Sequence, residues 1–206
     1  MAHLTLSQSI LQSEKQKFFV RTMKGQVCVG LNGHLVSPDK PCLNGSKKAN
    51  ELSPLSSTLA ASQANEVLEL DELWSFVGSK ANKRWIWIAL CRRTRQIVSY
   101  FIGDRTEESC WRLWSWIPRN YRHAQTFSDF WESYQTVFGT LGQDHQSVGK
   151  ETGETAHIER WNNTLRQRLA RFVRRTLSFS KSDEYHEYAL ALFIHEYNLE
   201  KLSVMN

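Results

Sequence analysis

The stretch WIWIALC at residues 85–91 is apolar at every position, which is typical of a strand covered on both faces of a sheet. Upstream, residues 67–77 carry mostly apolar side chains, and residues 97–102 form a third apolar segment. Only short polar segments separate the three, GSKANK at residues 78–83 and RRTRQ at residues 92–96. The pattern predicts an antiparallel three-strand meander, because connections this short join neighbouring antiparallel strands.

The segments that follow alternate between helical and strand patterns. They are residues 104–117 (helix), 125–128 (strand), 130–138 (helix), 145–148 (strand), 156–171 (helix) and a last helix that begins at Ser180 or Ser182. Asp104 and Glu107 form a capping-box pattern at the start of the first of these helices. The order β-β-β-α-β-α-β-α-α predicts an α/β fold of the ribonuclease H-like type, in which a mixed sheet combines the antiparallel meander with shorter strands. Helices flank this sheet, and the last two form a C-terminal helix pair.

The first 65 residues differ in character from the rest of the chain. They are rich in Ser, Asn, Gly, Lys and Gln without lasting periodicity, so residues 1–65 are predicted to be a poorly ordered N-terminal extension and linker. Residues 66–206 are predicted to form one catalytic domain of ordinary size. No apolar run approaches 18 residues and no signal-peptide pattern is present, so we expect a soluble, cytoplasmic protein with no membrane partner.

Cysteines and tryptophans suggest core packing rather than chemistry. The four cysteines show no paired C-x-x-C spacing, which argues against a zinc ribbon or finger. Cys91 and Cys110 fall in apolar segments and are predicted to be buried thiols. The tryptophans are numerous enough to suggest base stacking, but packing in the core is the preferred interpretation.

The whole chain has a formal net charge of +5, and basic residues cluster between Arg160 and Lys181. Between Arg160 and Lys181 there is no acid, and the basic residues are Arg160, Arg166, Arg168, Arg171, Arg174, Arg175 and Lys181. A solvated helix face explains such a run equally well. Arginine nevertheless favours phosphate, because its planar guanidinium matches phosphate oxygens, so the run is consistent with a polyanionic partner.

The helix AHIERWNNTLRQRLAR at residues 156–171 contains one acid, Glu159, just off an apolar stripe that includes Ile158, Trp161 and Leu165. A carboxylate inside a basic helix would repel a bound phosphate unless a metal ion lay between them. This arrangement suggests metal-dependent chemistry on nucleic acid. His157 points away from Glu159 on the helical wheel and is not expected to share a metal with it.

Three acids fall where a ribonuclease H-like sheet would bring them to one edge: Asp71 in the first strand, Asp129 after the fourth and Glu159 near the start of the helix. Each also has a structural explanation. Asp71 is at a position typical of turn capping, Asp129 at a helix N-cap, and Glu159 near the positive end of a helix dipole. Glu72, Asp104, Glu132 and Asp144 are weaker candidates, and Glu72 would face away from Asp71 in a continuous strand.

Three gathered carboxylates need a counter-charge, and oxygen-only ligands favour Mg²⁺ or Mn²⁺ over zinc. We therefore expect Asp71, Asp129 and Glu159 to bind divalent cations. Two ions about 3.5–4 Å apart would suit a phosphodiester substrate, since one activates the attacking oxygen and the other stabilises the leaving oxygen.

Two segments resemble transposases of the insertion-sequence-one family. The first is LDELWSFVG at residues 70–78, and the second is HIERWNNTLRQRLAR at residues 157–171; TLSFSKS at residues 176–182 is also close to that family's pattern. The likeness covers roughly residues 66–200. It implies a DDE transposase with a ribonuclease H-like core, in which Asp71, Asp129 and Glu159 are the three catalytic acids in that order.

The same resemblance implies a reaction and its partners. Water cleaves a phosphodiester at the element's end, and the freed 3′-hydroxyl attacks target DNA without a covalent protein intermediate. The resemblance places Asn163, Arg166, Arg168 and Arg171 on the DNA backbone.

Full-length members carry a cysteine-paired zinc element and a helix-turn-helix ahead of the core, and residues 1–65 show neither. The chain is thus expected to be a catalytic half, either a second reading frame expressed by fusion or a degenerate copy. A homo-oligomer, or pairing with an upstream DNA-binding module, is implied. Two rivals are a truncated, non-catalytic DNA-binding regulator and a metal-dependent nuclease of the same fold.

Overall fold

The structure is a computed structural model that describes residues 52–205. Strands β1 (Val67–Val77), β2 (Ser79–Cys91) and β3 (Ile97–Gly103) form the predicted antiparallel meander, with β2 in the middle. Gly78 joins β1 to β2 at a φ of 73°, which a residue without Cβ adopts at little steric cost. The chain reverses at this residue, so residues 79–83, predicted as a turn, instead extend the hairpin as exposed strand.

Two short strands continue the sheet on the other side of β1. Strand β4 (Gln125–Ser128) pairs in parallel with β1, and β5 (His145–Ser147) pairs in parallel with β4. The resulting order is β3-β2-β1-β4-β5. The sheet is therefore mixed, and the antiparallel meander plus shorter strands that the sequence predicts is confirmed.

Helices cover both faces of this sheet. They are α1 (Glu107–Trp116), α2 (Glu132–Leu141), α3 (Ala156–Arg168) and α4 (Asp183–Met205). Alternate residues of β2 serve two separate clusters: Trp87 and Ala89 pack with side chains of α1 and α2, whereas Ile86 and Ile88 pack with side chains of α3 and α4. The prediction that this strand is covered on both faces is confirmed, and each fully buried large apolar side chain contributes about 1.5–3 kcal/mol.

Helix ends differ from the predicted ones in two places. Helix α1 is capped by Thr106, whose hydroxyl oxygen accepts a hydrogen bond from the Ser109 N–H, so the predicted capping box with Asp104 is wrong. Helix α3 ends at Arg168 rather than residue 171, because Leu169 adopts an extended backbone and a short 3₁₀ turn follows at Ala170–Phe172. Both differences leave the order of the elements unchanged.

Part of the segment preceding the sheet packs on the domain. A 3₁₀ turn at Leu55–Thr58 places the Thr58 carbonyl oxygen 2.7 Å from Nε2 of buried Gln96, and Asn198 of α4 donates to the Thr58 hydroxyl at 3.0 Å. Residues 1–51 of the predicted extension lie outside the described residues.

The predicted buried thiols and core tryptophans are confirmed. Cys91 and Cys110 are buried and free. Trp87 and Trp114 are buried, and three partly buried tryptophans pack against the same core, Trp85, Trp111 and Trp116. Within residues 52–205, the helices are too short or too polar for any of them to span a bilayer.

A histidine without an exposed surface makes stability depend on pH. His186 of α4 hydrogen-bonds the Ser180 hydroxyl at 2.7 Å, and its Nε2 has no partner among the described residues. Burial lowers the pKa of His186 to about 4; Asp183 opposes this shift, and Arg171 and Arg84 add to it. The folded state therefore keeps this ring neutral at pH values where the unfolded chain already binds a proton.

The stabilisation from neutral His186 should be complete above pH 6.5 and be lost as the pH falls from 6.5 towards 4. Replacing His186 with Gln should reduce the drop in unfolding free energy between pH 7 and pH 4.5 by about 2–3 kcal/mol. Urea titrations at several pH values measure this drop. His123→Gln, at an exposed histidine, is the control and should retain the wild-type drop. A His186→Gln variant with an unchanged drop contradicts the assignment.

Candidate metal centre

Two aspartates meet where β1 and β4 separate. The parallel pairing of these strands ends at Glu69 and Phe127. Asp71 lies two residues after Glu69 in β1, and Asp129 is the first residue after β4 ends. Their carboxylates approach each other, because ligand oxygens of Asp71, Glu72 and Asp129 all lie within 4.8 Å of one another. The structure thus brings together the first two of the three acids named from the sequence.

Glu72 joins this cluster although it lies on the opposite face of β1. Its Oε1 accepts a hydrogen bond from Arg105 Nε at 2.8 Å, and its Oε2 accepts one from the Tyr134 hydroxyl at 3.0 Å. Arg105 is itself held over the Trp131 ring at 3.7 Å. The sequence predicts the face of Glu72 but not that a Glu72 oxygen lies within 4.8 Å of oxygens of Asp71 and Asp129.

Asp71 has an environment that disfavours its charge. Burial, followed by the neighbouring charge of Glu72, raises the pKa of Asp71 to about 7. This value includes smaller increases from the charges of Asp129 and Glu159. It also includes a decrease from the hydrogen bond that the Glu72 N–H donates to Asp71 Oδ1 at 2.9 Å. All four acids therefore act on one site, and such a cluster gains stability from a bound cation.

Glu159 of α3 is not among the acids whose oxygens lie within 4.8 Å of one another, but its charge acts on Asp71. The helix packs on β1, and half-buried Glu159 is close enough to Asp71 to affect its pKa. One turn further along the same side, Asn162 Nδ2 donates to Asp71 Oδ2 at 2.6 Å. Asn162 was missed in the sequence, although its i+3 spacing from Glu159 puts it on the same side of the helix and was available as a signal.

The start of α3 is fixed by a buried carboxylate from β1. Thr155, the N-cap residue, makes no side-chain cap, and Glu69 Oε2 instead accepts hydrogen bonds from the N–H groups of His157 and Ile158, both at 3.0 Å. Glu69 Oε1 accepts from Arg92 Nε at 2.8 Å and contacts His157 Nδ1 at 2.6 Å. No part of Glu69 is exposed, so this network holds α3 at a set position along β1.

The predicted DNA-contact residues are not gathered at one place. Arg166 is half-buried, and burial followed by the charge of Arg174 lowers its pKa, whereas the charge of Asp71 raises it. Its Nε has no partner among the described residues. Asn163 is exposed on α3, whereas Arg168 forms an ion pair with Glu200 at 2.8 Å. Arg171 donates to the Tyr185 carbonyl oxygen at 3.3 Å. Of these four residues, only Arg166 has a described interaction with the acid cluster, through the charge of Asp71.

The donor set fits a hard divalent cation. The clustered ligand atoms are all carboxylate oxygens, without cysteine or histidine, and such sets suit Mg²⁺ or Mn²⁺. Asn162 adds a buried amide oxygen, Oδ1, that has no donor among the described residues. The site therefore offers both the negative charge and a free polar acceptor that a hydrated cation needs.

A family model described as IS1 transposase matches residues 66–199 of the chain. The chain belongs to the IS1 transposase family. The match covers the whole sheet and most of α4, so the fold and the acid cluster both lie within it.

Three relatives illustrate the likeness. The InsB protein of insertion element iso-IS1n from Shigella dysenteriae is 39% identical over 131 residues, covering 64% of this chain and 95% of the relative. The InsB protein of insertion element IS1 4 from Escherichia coli strain K12 is 33% identical over 147 residues, covering 70% and 84%. The IS1 InsB protein from Shigella flexneri is 36% identical over 126 residues, covering 61% and 92%.

Removing the charge of Glu69 should destabilise this IS1 family domain strongly. Glu69→Gln leaves the α3 N-terminus without a carboxylate and leaves Arg92 with only Glu154 as an ion-pair partner, and removing a fully buried charge from such a network costs about 3 kcal/mol. Chemical denaturation at pH 7 measures the loss.

Glu108→Gln is the matched control, because Glu108 also pairs with an arginine, Arg112, but its side chain is 74% exposed. That variant should lose at most about 0.5 kcal/mol. Equal losses in the two variants would show that Glu69 does not fix α3.

Proposed function

We propose that the chain carries the catalytic core of a DDE-type DNA transposase with ribonuclease H-like architecture. The proposed reaction is hydrolysis of a phosphodiester at an element end, followed by attack of the released 3′-hydroxyl on a phosphodiester of target DNA. The names of the relatives, which are InsB proteins of insertion elements, support this proposal. The sheet order β3-β2-β1-β4-β5 supports the architecture, because β1 is central, antiparallel to β2 and parallel to β4.

The observation that carries the proposal is the meeting of Asp71 and Asp129 with the α3 helix that bears Glu159. Oxygens of two of these acids, Asp71 and Asp129, lie within 4.8 Å of each other, and the charge of the third acts on Asp71. We infer that Asp71, Asp129 and Glu159 hold the divalent cations. Glu72 is less suited to be a ligand, because both of its carboxylate oxygens are already bonded to Arg105 and Tyr134.

When bound, Mg²⁺ or Mn²⁺ would supply a water of lowered pKa and stabilise charge on phosphate oxygens. The protein's part is to position its ligands. Asn162 holds Asp71 through the 2.6 Å hydrogen bond, and Glu69 holds the helix that carries Glu159. Such supporting residues set the orientation of the ligands, and replacing one commonly lowers metal affinity by about 10–100-fold.

Binding of DNA is proposed for the basic side of the acid cluster. The charge of Asp71 acts on Arg166, which has a donor, Nε, without a partner among the described residues. A guanidinium at this place would neutralise a backbone phosphate next to the site where the strand is cut. Asn163 is exposed on the same helix and is proposed to add a polar contact. Recognition of element ends is proposed to come from a further module, either fused to this core or paired with it.

Removing single charges at the site tests the function. Asp71→Asn and Glu159→Gln should each lower metal-dependent nicking of duplex DNA by at least about 100-fold, because a ligand contributes no less than a supporting residue. Both should retain salt-sensitive DNA binding, since the arginines remain. Nicking of a labelled duplex with Mg²⁺ or Mn²⁺ and a binding titration are the measurements.

The controls make the same chemical changes away from the cluster. Asp104→Asn and Glu132→Gln alter exposed acids and should nick like the wild type. Undiminished nicking by both site variants rules out the proposed triad. Wild-type protein that binds DNA without nicking indicates a non-catalytic regulator, and nicking without strand joining to a second duplex indicates a nuclease.

A further inference from the structure

A basic cavity lies between α3 and the C-terminal half of α4. Its volume is about 260 Å³, and the residues that line it include Arg95, Arg160, Trp161, Arg168, Tyr197 and Lys201. On α3, Arg160 and Arg168 are roughly 100–180° around the helix from Glu159, given 100° per residue. The cavity is therefore on the side of α3 turned away from the acid cluster, and the proposed triad does not use it.

The charge of the lining has one sign. Four lining side chains are cationic, and no carboxylate lines the cavity. Arg168 is paired with Glu200, but Arg95, Arg160 and Lys201 have no ion pair within residues 52–205. Like charges gathered around a concave surface repel one another in the free protein and favour an anion there.

Two buried donors of lining residues are also without acceptors. Arg95 Nη1 and Trp161 Nε1 have no hydrogen-bond partner in the described part of the chain, and Trp161 as a whole is only 1% exposed. Buried N–H groups are nearly always paired in folded proteins. Because neither atom is exposed, an anion in the cavity would act on these donors through its negative charge rather than by a direct hydrogen bond.

Arg95 stands in the turn between β2 and β3 at a φ of 61°, a left-handed backbone in which glycine or asparagine is less strained. Its N–H donates to the Cys91 carbonyl oxygen at 2.8 Å, so the turn itself needs no arginine side chain. The guanidinium is therefore available for a role in the cavity that it lines.

The aromatic residues favour a phosphate over a stacked base as the ligand. Trp161 and Tyr197 are 1% and 8% exposed, and both belong to the core cluster under α3 and α4. Rings buried to this degree do not offer a face to an unstacked base. Arginine guanidinium groups, in contrast, match phosphate oxygens in shape and charge.

We propose that this cavity binds a backbone phosphate of a DNA strand, outside the catalytic centre. The DNA source rests on the proposed function, whereas the preference for phosphate rests on the cavity alone. A second contact of this kind would hold a DNA strand on the far side of α3 from the acids.

The test follows the indole N–H signal of Trp161 in NMR spectra of the full chain. Titration with a short DNA duplex should shift this signal saturably, and pyrophosphate should shift it more weakly. The double variant Arg160→Gln, Lys201→Gln should lose both shifts. For DNA binding by this variant, the slope of log K against log salt concentration should be smaller in magnitude by about 1. Arg95→Gly should weaken the shifts at an unchanged or higher Tm, because its backbone suits glycine.

Arg119→Gln removes an exposed arginine outside the cavity lining and should behave like the wild type. Loss of the shifts in this control as well would overturn the proposal, as would wild-type protein whose Trp161 signal responds to neither probe. A response to pyrophosphate alone overturns the DNA assignment. In Asp71→Asn the shifts should persist, so failure of the catalytic proposal would leave this one standing.

Discussion

The contact between Glu69 and the first turn of α3 is the constraint on which the candidate site depends. Glu69 lies on the same face of β1 as Asp71, two residues earlier, and takes the place of the side-chain cap that the N-cap residue Thr155 does not make. Because it also binds Arg92, the carboxylate keeps its buried charge compensated. The registry of α3 along β1 then places Glu159 and Asn162 near Asp71, so one buried acid aligns two elements that are far apart in sequence.

The acid cluster is held together against its own repulsion. Burial, followed by the charges of the other acids, raises the pKa of Asp71. Two hydrogen bonds offset part of the cost of these charges, one from Arg105 to Glu72 and one from Asn162 to Asp71. Packing of α1 and α2 on one face of the sheet and α3 and α4 on the other supplies the stability that keeps the strand ends in place. Carboxylates that repel one another and offer only oxygen ligands are suited to bind divalent cations, because a cation supplies the missing positive charge.

Much of the fold was predictable from sequence because the strands of the meander are long, apolar and separated by short turns. The order of elements was also correct, whereas the ends depend on single backbone states, such as left-handed Gly78 and extended Leu169, that periodicity does not reveal. The closeness of Asp71 and Asp129 was predictable, because each follows an apolar strand segment and the two strands pair in parallel. The roles of Glu69 and Glu72 were not, because both depend on partners distant in sequence, His157 and Tyr134.

Anomalous diffraction from crystals grown with Mn²⁺ would show whether these acids hold a metal, since it locates the ion without relying on activity. We expect an anomalous peak at coordination distance, about 2.0–2.2 Å, from carboxylate oxygens of Asp71 and Asp129, with Glu159 completing the site. The same crystals of Asp71→Asn should lose that peak. Mn²⁺ bound only elsewhere, or a cluster that stays free of metal at saturating Mn²⁺, would contradict the account.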